Sequence, residues 1–159
     1  MVYSFARVGA LVKMRLSDYY RQEQRAWFRL HEKGGKRHEV PAHHNAAAYV
    51  DAYLREARLQ KMQNGPLFGT FGRTGELTGR PMSRFDVFEM IKRRARRSGL
   101  SPAVCCHTFR ATGITAYLAN GGSLEHAQAI AAHESPKTTK LYDRTSSPIS
   151  LEEVEKIGI

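Results

Sequence analysis

Residues 25–32 constrain the fold of this chain more than any other stretch. Apolar and polar side chains alternate there, with Ala26, Phe28 and Leu30 on one side and Trp27, Arg29 and His31 on the other. A β-strand sends successive side chains to opposite faces, so this pattern requires a strand with one buried face. Lys33-Gly34-Gly35-Lys36 then makes a tight turn, and residues 37–40 return as a second strand closed by Pro41. Elsewhere only residues 65–82 suggest sheet, as a short apolar piece, Leu67-Phe68, among turn residues. The rest follows the helical period. The expected class is α+β and mainly α, with a small antiparallel hairpin or three-stranded sheet, in one domain.

The helices are marked by their caps as much as by their apolar stripes. Residues 2–14 read as a helix with Phe5, Val8, Leu11 and Val12 on one side, and no capping residue precedes it, as in a chain cut from a longer one. Asn45 opens a second helix with Tyr49, Val50, Tyr53, Leu54 and Ala57 as its stripe. Ser83 and Asp86 have the spacing of a capping box, and Phe85, Phe88, Ile91 and Ala95 carry that helix to Gly99. A fourth helix covers residues 107–120 and stops at Gly121-Gly122. Ser123 caps the next, which buries Leu124, Ala127, Ile130 and Ala131, and Ser135-Pro136 starts a short helix through Tyr142. Residues 143–148 are polar and hinge-like. Beyond them Leu151, Val154 and Ile157 form an apolar stripe, expected to pack in a groove of its own domain or of another copy. Such a hinge would let Tyr142 turn away from a pocket in the absence of its ligand.

Charge narrows the partners. Lys and Arg total 25 against 15 Asp and Glu, a formal charge of +10. Polyanions are attracted by such a field, nucleic acid first and an anionic membrane surface second. No apolar run approaches the roughly 20 residues that span a bilayer. The cysteines, Cys105 and Cys106, are adjacent and form no spaced disulfide framework, which points to a reducing compartment and a soluble, cytoplasmic protein. Lys92, Arg93, Arg94, Arg96 and Arg97 crowd one helix. They are either a solvated face near a helix C-terminus or contacts to DNA phosphates, and Arg80 and Arg84 extend the second reading. The candidate DNA-binding residues are Arg80, Arg84, Lys92, Arg93, Arg96 and Arg97.

Four weak signals bear on chemistry. His107 and Arg110, three apart on a helix, share a face and set a proton carrier beside a phosphate fork. His133 is followed nine residues later by Tyr142, across the turn at Ser135-Pro136. Arg7 is a charge in an apolar helix, and Lys33 stands at a hairpin tip. Each alone has an ordinary explanation in packing or solvation. Other candidates fail. Gly34-Gly35-Lys36 is followed by Arg37 where a phosphate-binding loop needs Ser or Thr. His43-His44, His126 and His133 have no Cys or carboxylate partner at a metal-site spacing. Cys105-Cys106 suits packing better than nucleophilic attack. Neither a metal nor a cofactor is expected.

Taken in order, the stretches FARVGALVKMRLSDYY, HEKGGKRHEVP, CHTFRATGITAYL and AHESPKTTKLYDR resemble the catalytic domain of the tyrosine recombinase (phage integrase) family from Phe5 to Arg144. The resemblance implies a catalytic set of Arg7, Lys33, His107, Arg110, His133 and Tyr142. It implies site-specific DNA cutting and rejoining through a 3′-phosphotyrosyl link, independent of metal and ATP. It further implies double-stranded DNA and other copies of the chain as partners, in a tetramer on DNA, and no membrane. Residues 1–159 would then be the catalytic domain, truncated at its N-terminus and without the family's N-terminal DNA-binding domain. Two alternatives stand beside it. Type IB topoisomerases share the nucleophile, but they generally carry Lys where His107 stands. A sequence-specific DNA-binding protein with impaired catalysis is the other. The sequence departs from the family at Ala10, where an acidic residue is frequent, at Ala131-Ala132 in place of Leu-Gly, at Phe109 in place of Leu, and at Ala111 in place of His.

The implied chemistry is physically coherent. A phosphodiester transition state gathers charge on its non-bridging oxygens, which two arginines and a His donor stabilise. A tyrosine hydroxyl, with an ordinary pKa of about 10, needs a base such as His107. Lys33 would protonate the leaving 5′ oxygen.

Overall fold

A computed structural model of the chain describes residues 1–32, 35–60, 62 and 64–144. Three antiparallel strands, β1 (Tyr19–Gln22), β2 (Arg25–His31) and β3 (Arg37–Pro41), form a sheet in that order. The alternation of β2 is realised, with Ala26, Phe28 and Leu30 buried. Phe28 lies opposite Tyr19 on one side and Val40 on the other. The apolar face packs on Ala6, Ala10, Met14 and Leu67. Strand β1 reads YYRQ, with no alternation, and exists because β2 offers it a hydrogen-bonding edge. A separate hairpin, β4 (Gly69–Phe71) with β5 (Leu77–Pro81), occupies the turn-rich region expected to hold a strand and a loop.

The N-terminal helix is much shorter than residues 2–14. Only α1 (Val8–Leu11) is helical. Phe5 is left-handed at φ 49°, and Arg7 is extended at φ −69° and ψ 146°. The chain turns here because its apolar residues serve two cores. Ala6 and Ala10 lie under the sheet, whereas Phe5 packs with Ile114, Leu118, Ala127 and Ala131 among the C-terminal helices. A straight helix would point Phe5 and Val8 the same way.

Helix α2 (His44–Glu56) begins at His43, whose Nδ1 accepts the Asn45 N–H at 3.1 Å. Its Val50 and Leu54 meet the first core, but Tyr49 is exposed. Helix α3 (Arg84–Arg97) has the expected capping box. Asp86 N–H donates to Ser83 Oγ at 3.1 Å, and Ser83 N–H donates to an Asp86 carboxylate oxygen at 2.7 Å. Its buried face is Val87, Ile91 and Ala95, so the expected stripe through Phe85 and Phe88 is off by part of a turn. Phe85 is 68% exposed, because two residues from Val87 is about half a turn around the helix.

Helices α4 (Cys106–Ala119), α5 (Leu124–Ala131) and α6 (Pro136–Lys140) enclose the second core. Gly113 on α4 faces the N-terminal segment, and a Cβ there would run into the Val2 carbonyl and the Phe5 ring. Helix α6 closes at Lys140, and Tyr142 follows in a turn, its N–H on the Thr139 carbonyl at 2.9 Å. Among the described residues no helix is long and apolar enough to cross a membrane. Lys33 and the 151–157 stripe lie outside the described residues.

Candidate active site

The two cores meet at the segment around Phe5, and the functional candidates gather at that junction. Arg110, on the first half of α4, is 3% exposed. Its Nη1 donates to the Phe5 carbonyl, and its Nη2 donates to the Ala131 carbonyl at 2.7 Å and to His133 Nε2 at 2.8 Å. A guanidinium has five N–H groups and no acceptor. Its Nε–H and second Nη1–H meet no acceptor among the described residues. Burial, and then the charge of Arg7, pull its pKa down to about 10, so it stays cationic at neutral pH.

Those bonds fix the protonation of His133. Arg110 can only donate, so Nε2 of the imidazole must be the bare nitrogen. Nδ1 therefore carries the hydrogen and donates to Thr139 Oγ1 at 2.9 Å. Burial lowers the His133 pKa to about 4, helped by Arg110, Arg7 and His107, so the ring is neutral at physiological pH. His133 and Thr139 are both buried. The imidazole thus stands behind Arg110 as an acceptor, a different arrangement from the phosphate donor that the sequence suggests.

His107, one turn before Arg110 on α4, is exposed. Its Nε2 is 3.1 Å from the Tyr142 hydroxyl. Tyr142 also packs against the second core. Its ring stacks on His133 with centroids 6.0 Å apart and planes 12° from parallel. Arg7 approaches from the start of α1, its Nη1 donating to Glu32 Oε2 at 2.8 Å. A cleft of about 590 Å³ opens between these elements, lined by Arg7, Lys13, His31, Glu32, Arg84, His107 and Arg110.

Of the residues singled out in the sequence, Arg7, His107 and Arg110 share this cleft, Tyr142 reaches its rim at His107, and His133 backs it. Arg84 also lines it, while Arg80, Arg93, Arg96 and Arg97 are exposed outside it. Lys92 is engaged within the protein. Its ammonium donates to the Pro102 carbonyl and lies 5.2 Å from the Phe88 ring centre.

Sequence reasoning missed Glu32 and Thr139. Glu32 was findable, since it continues the inward series Ala26, Phe28, Leu30 and so places a carboxylate on the buried face. Thr139 gives a weaker signal, a β-branched hydroxyl three residues before Tyr142. The Phe5 and Ala131 carbonyls gave none.

Residues 1–147 match the phage integrase family along their whole length. The chain belongs to the phage integrase family. Among relatives, this integrase-family chain is 28% identical over 143 residues to the tyrosine recombinase XerD of Staphylococcus saprophyticus, covering 88% of this chain and 46% of that protein. In fold it is similar to the crystal structure of XerA recombinase, with a TM-score of 0.73 at 22% identity, over 98% of this chain and 53% of that one. The XerH site-specific recombinase in a post-cleavage complex with palindromic difH substrate gives a TM-score of 0.71 at 20% identity, over 98% and 43%. The chain spans about half the length of these relatives.

Proposed function

We propose that this chain is the catalytic domain of a site-specific recombinase that cuts and rejoins double-stranded DNA through Tyr142. The observation that carries the reading is the 3.1 Å contact between the Tyr142 hydroxyl and His107 Nε2 at the rim of a cleft that Arg7 and Arg110 line. A nucleophile, a base within hydrogen-bond reach of it and two guanidiniums lining one cleft are what phosphoryl transfer to a hydroxyl requires. The XerH complex with its difH substrate supports DNA as the ligand.

In this reading the scissile phosphate enters the cleft and takes N–H groups of Arg7 and Arg110 on its non-bridging oxygens. The Tyr142 oxygen attacks phosphorus while its proton passes to His107 Nε2. The bond to the 5′ oxygen breaks, and that oxygen receives a proton from Lys33 on the hairpin. The product is a 3′-phosphotyrosyl ester and a free 5′ hydroxyl. The ester conserves the phosphodiester bond energy, so the reverse attack by a 5′ hydroxyl needs no ATP. His133 contributes by holding Arg110. A cytoplasmic protein, with several copies on one DNA (four, by the family resemblance), belongs to the same proposal.

A duplex nicked just beyond the cleavage site traps the adduct, because the short released strand diffuses away. The wild-type chain should accumulate a covalent complex, and Tyr142→Phe should form none while its DNA affinity stays within about twofold, since only the attacking oxygen is lost. Adduct formation by Tyr142→Phe overturns the assignment. Binding with no adduct from the wild type favours the DNA-binding alternative.

A further inference from the structure

A carboxylate is out of place in a cleft meant for an anion, yet Glu32 sits in this one with its side chain only 5% exposed. Burying a charge is costly unless a partner compensates it. The partner is Arg7, at 2.8 Å through Nη1 alone, and Glu32 is its hydrogen-bond partner among the described residues. Arg7 also lines the cleft, and its remaining N–H groups have no hydrogen-bond partner among the described residues. Arg7 is otherwise weakly held. Its side chain is 44% exposed, it precedes a helix of four residues, and a long arginine side chain has much rotamer entropy to lose when it is fixed.

Glu32 is anchored at the end of the sheet. It is the residue after β2, and its N–H donates to the Lys36 carbonyl at 2.9 Å, just before β3 begins. Its charge also reaches Arg110, where it opposes the repulsion from Arg7. One acid therefore touches the charge balance of both arginines and adjoins the hairpin lysine in sequence.

We infer that Glu32 is a positioning residue, whose carboxylate grips one edge of Arg7 and aims the rest of that guanidinium at the phosphate faced by Arg110. It restricts Arg7 before DNA arrives, and it relieves the repulsion between the two arginines. The cost is a fixed negative charge near the phosphate, so its benefit is to the rate of cleavage and hardly to affinity. This inference rests on the recombinase reading above.

The test joins a structural and a kinetic readout. In the wild-type chain with ¹⁵N-labelled arginines, the two Nη groups of Arg7 should give separate signals, because rotation of a gripped guanidinium is slow. In Glu32→Gln they should merge. With the nicked duplex, Glu32→Gln should slow adduct formation about 10- to 100-fold, the scale of a misplaced reacting group. DNA affinity should change by less than about twofold, since ground-state binding barely uses this carboxylate. In an Arg7→Ala background, Glu32→Gln should add less than about twofold, as expected of two residues acting as one unit. Merged Arg7 signals in the folded wild type, an unchanged rate in Glu32→Gln, or an undiminished effect in the Arg7→Ala background would each overturn the inference. A wild type that forms no adduct would sink the recombinase reading instead, and the Arg7 signals of the wild type and of Glu32→Gln, which need no DNA, would still decide whether Glu32 holds Arg7.

Discussion

At the scale of single residues, the site is organised by which atoms can donate. Arg110 only donates, so His133 must accept, so Thr139 must take the remaining imidazole hydrogen. This makes His133 a pH-sensitive part of the fold. Its pKa is lowered in the folded chain to about 4, from the 6.5 of an unperturbed imidazole. Between those values the unfolded chain binds a proton that the folded chain refuses. Stability from this group is therefore complete above pH 6.5 and is lost as pH falls toward 4. Urea midpoints across that window should fall with acidification, with a His133 share of at most about 1.4 kcal/mol per pH unit. His133→Gln, which has nothing to titrate, should remove that share. An unaltered slope in His133→Gln would locate the titrating group elsewhere. The candidate residues were legible at this scale, because H-x-x-R and the spacing from His133 to Tyr142 are local features. The direction of each hydrogen bond was not, because it depends on two carbonyls from distant parts of the chain.

Among the elements, caps and turns proved more readable than faces. Ser83, Ser123 and Ser135 each cap the helix they were expected to cap. The buried face of α3 does not follow its phenylalanines, since aromatic residues suit either a core or a surface and only the neighbouring elements decide. The N-terminal helix is shorter than its apolar spacing suggests, because period alone cannot reveal that Phe5 and Ala6 belong to different cores. One junction carries strain that can be measured. Ala132 ends α5 in the left-handed region at φ 49° and places His133 directly behind Arg110. A side chain there costs roughly 1 kcal/mol that glycine does not. Ala132→Gly should stabilise the chain by at most about 0.6 kcal/mol, after allowing for glycine's greater freedom in the unfolded state. Thermal unfolding checks this, and a lower midpoint in Ala132→Gly would mean that the turn is not strained.

For the molecule as a whole, the excess of positive charge is a working surface under the proposed function. Binding to duplex DNA should weaken linearly in log–log form as salt rises, with a slope near −0.9 for each phosphate neutralised. Arg93, Arg96 and Arg97 are exposed along α3, outside the cleft. Replacing all three with alanine should flatten the slope by up to about three, one for each phosphate that no longer meets a guanidinium. Lys92→Ala should leave it nearly unchanged, because that ammonium is spent on Pro102 and Phe88. Titrations at several salt concentrations separate the two, and a triple variant with the wild-type slope would remove α3 from the DNA interface. The mainly helical architecture with its small sheet was readable from period and caps. The meeting of the two cores was not, and that junction is where the cleft forms.

Arg110 ties Phe5 at the start of the chain to Ala131 at the end of α5, and it also lines the cleft. A side chain in that position works as a non-covalent cross-link between distant parts of the polypeptide. Truncating it would leave two inward-facing carbonyls with no donor, each costing about 1–3 kcal/mol. Under the proposed function the site therefore does not separate catalysis from foldedness in the usual way. Libraries screened only for expression, with no DNA present, would already reject most substitutions at Arg110 while accepting many at the more exposed Arg7. An Arg110 variant is accordingly a poor "dead enzyme" standard, since loss of signal from it confounds an absent reaction with an absent structure.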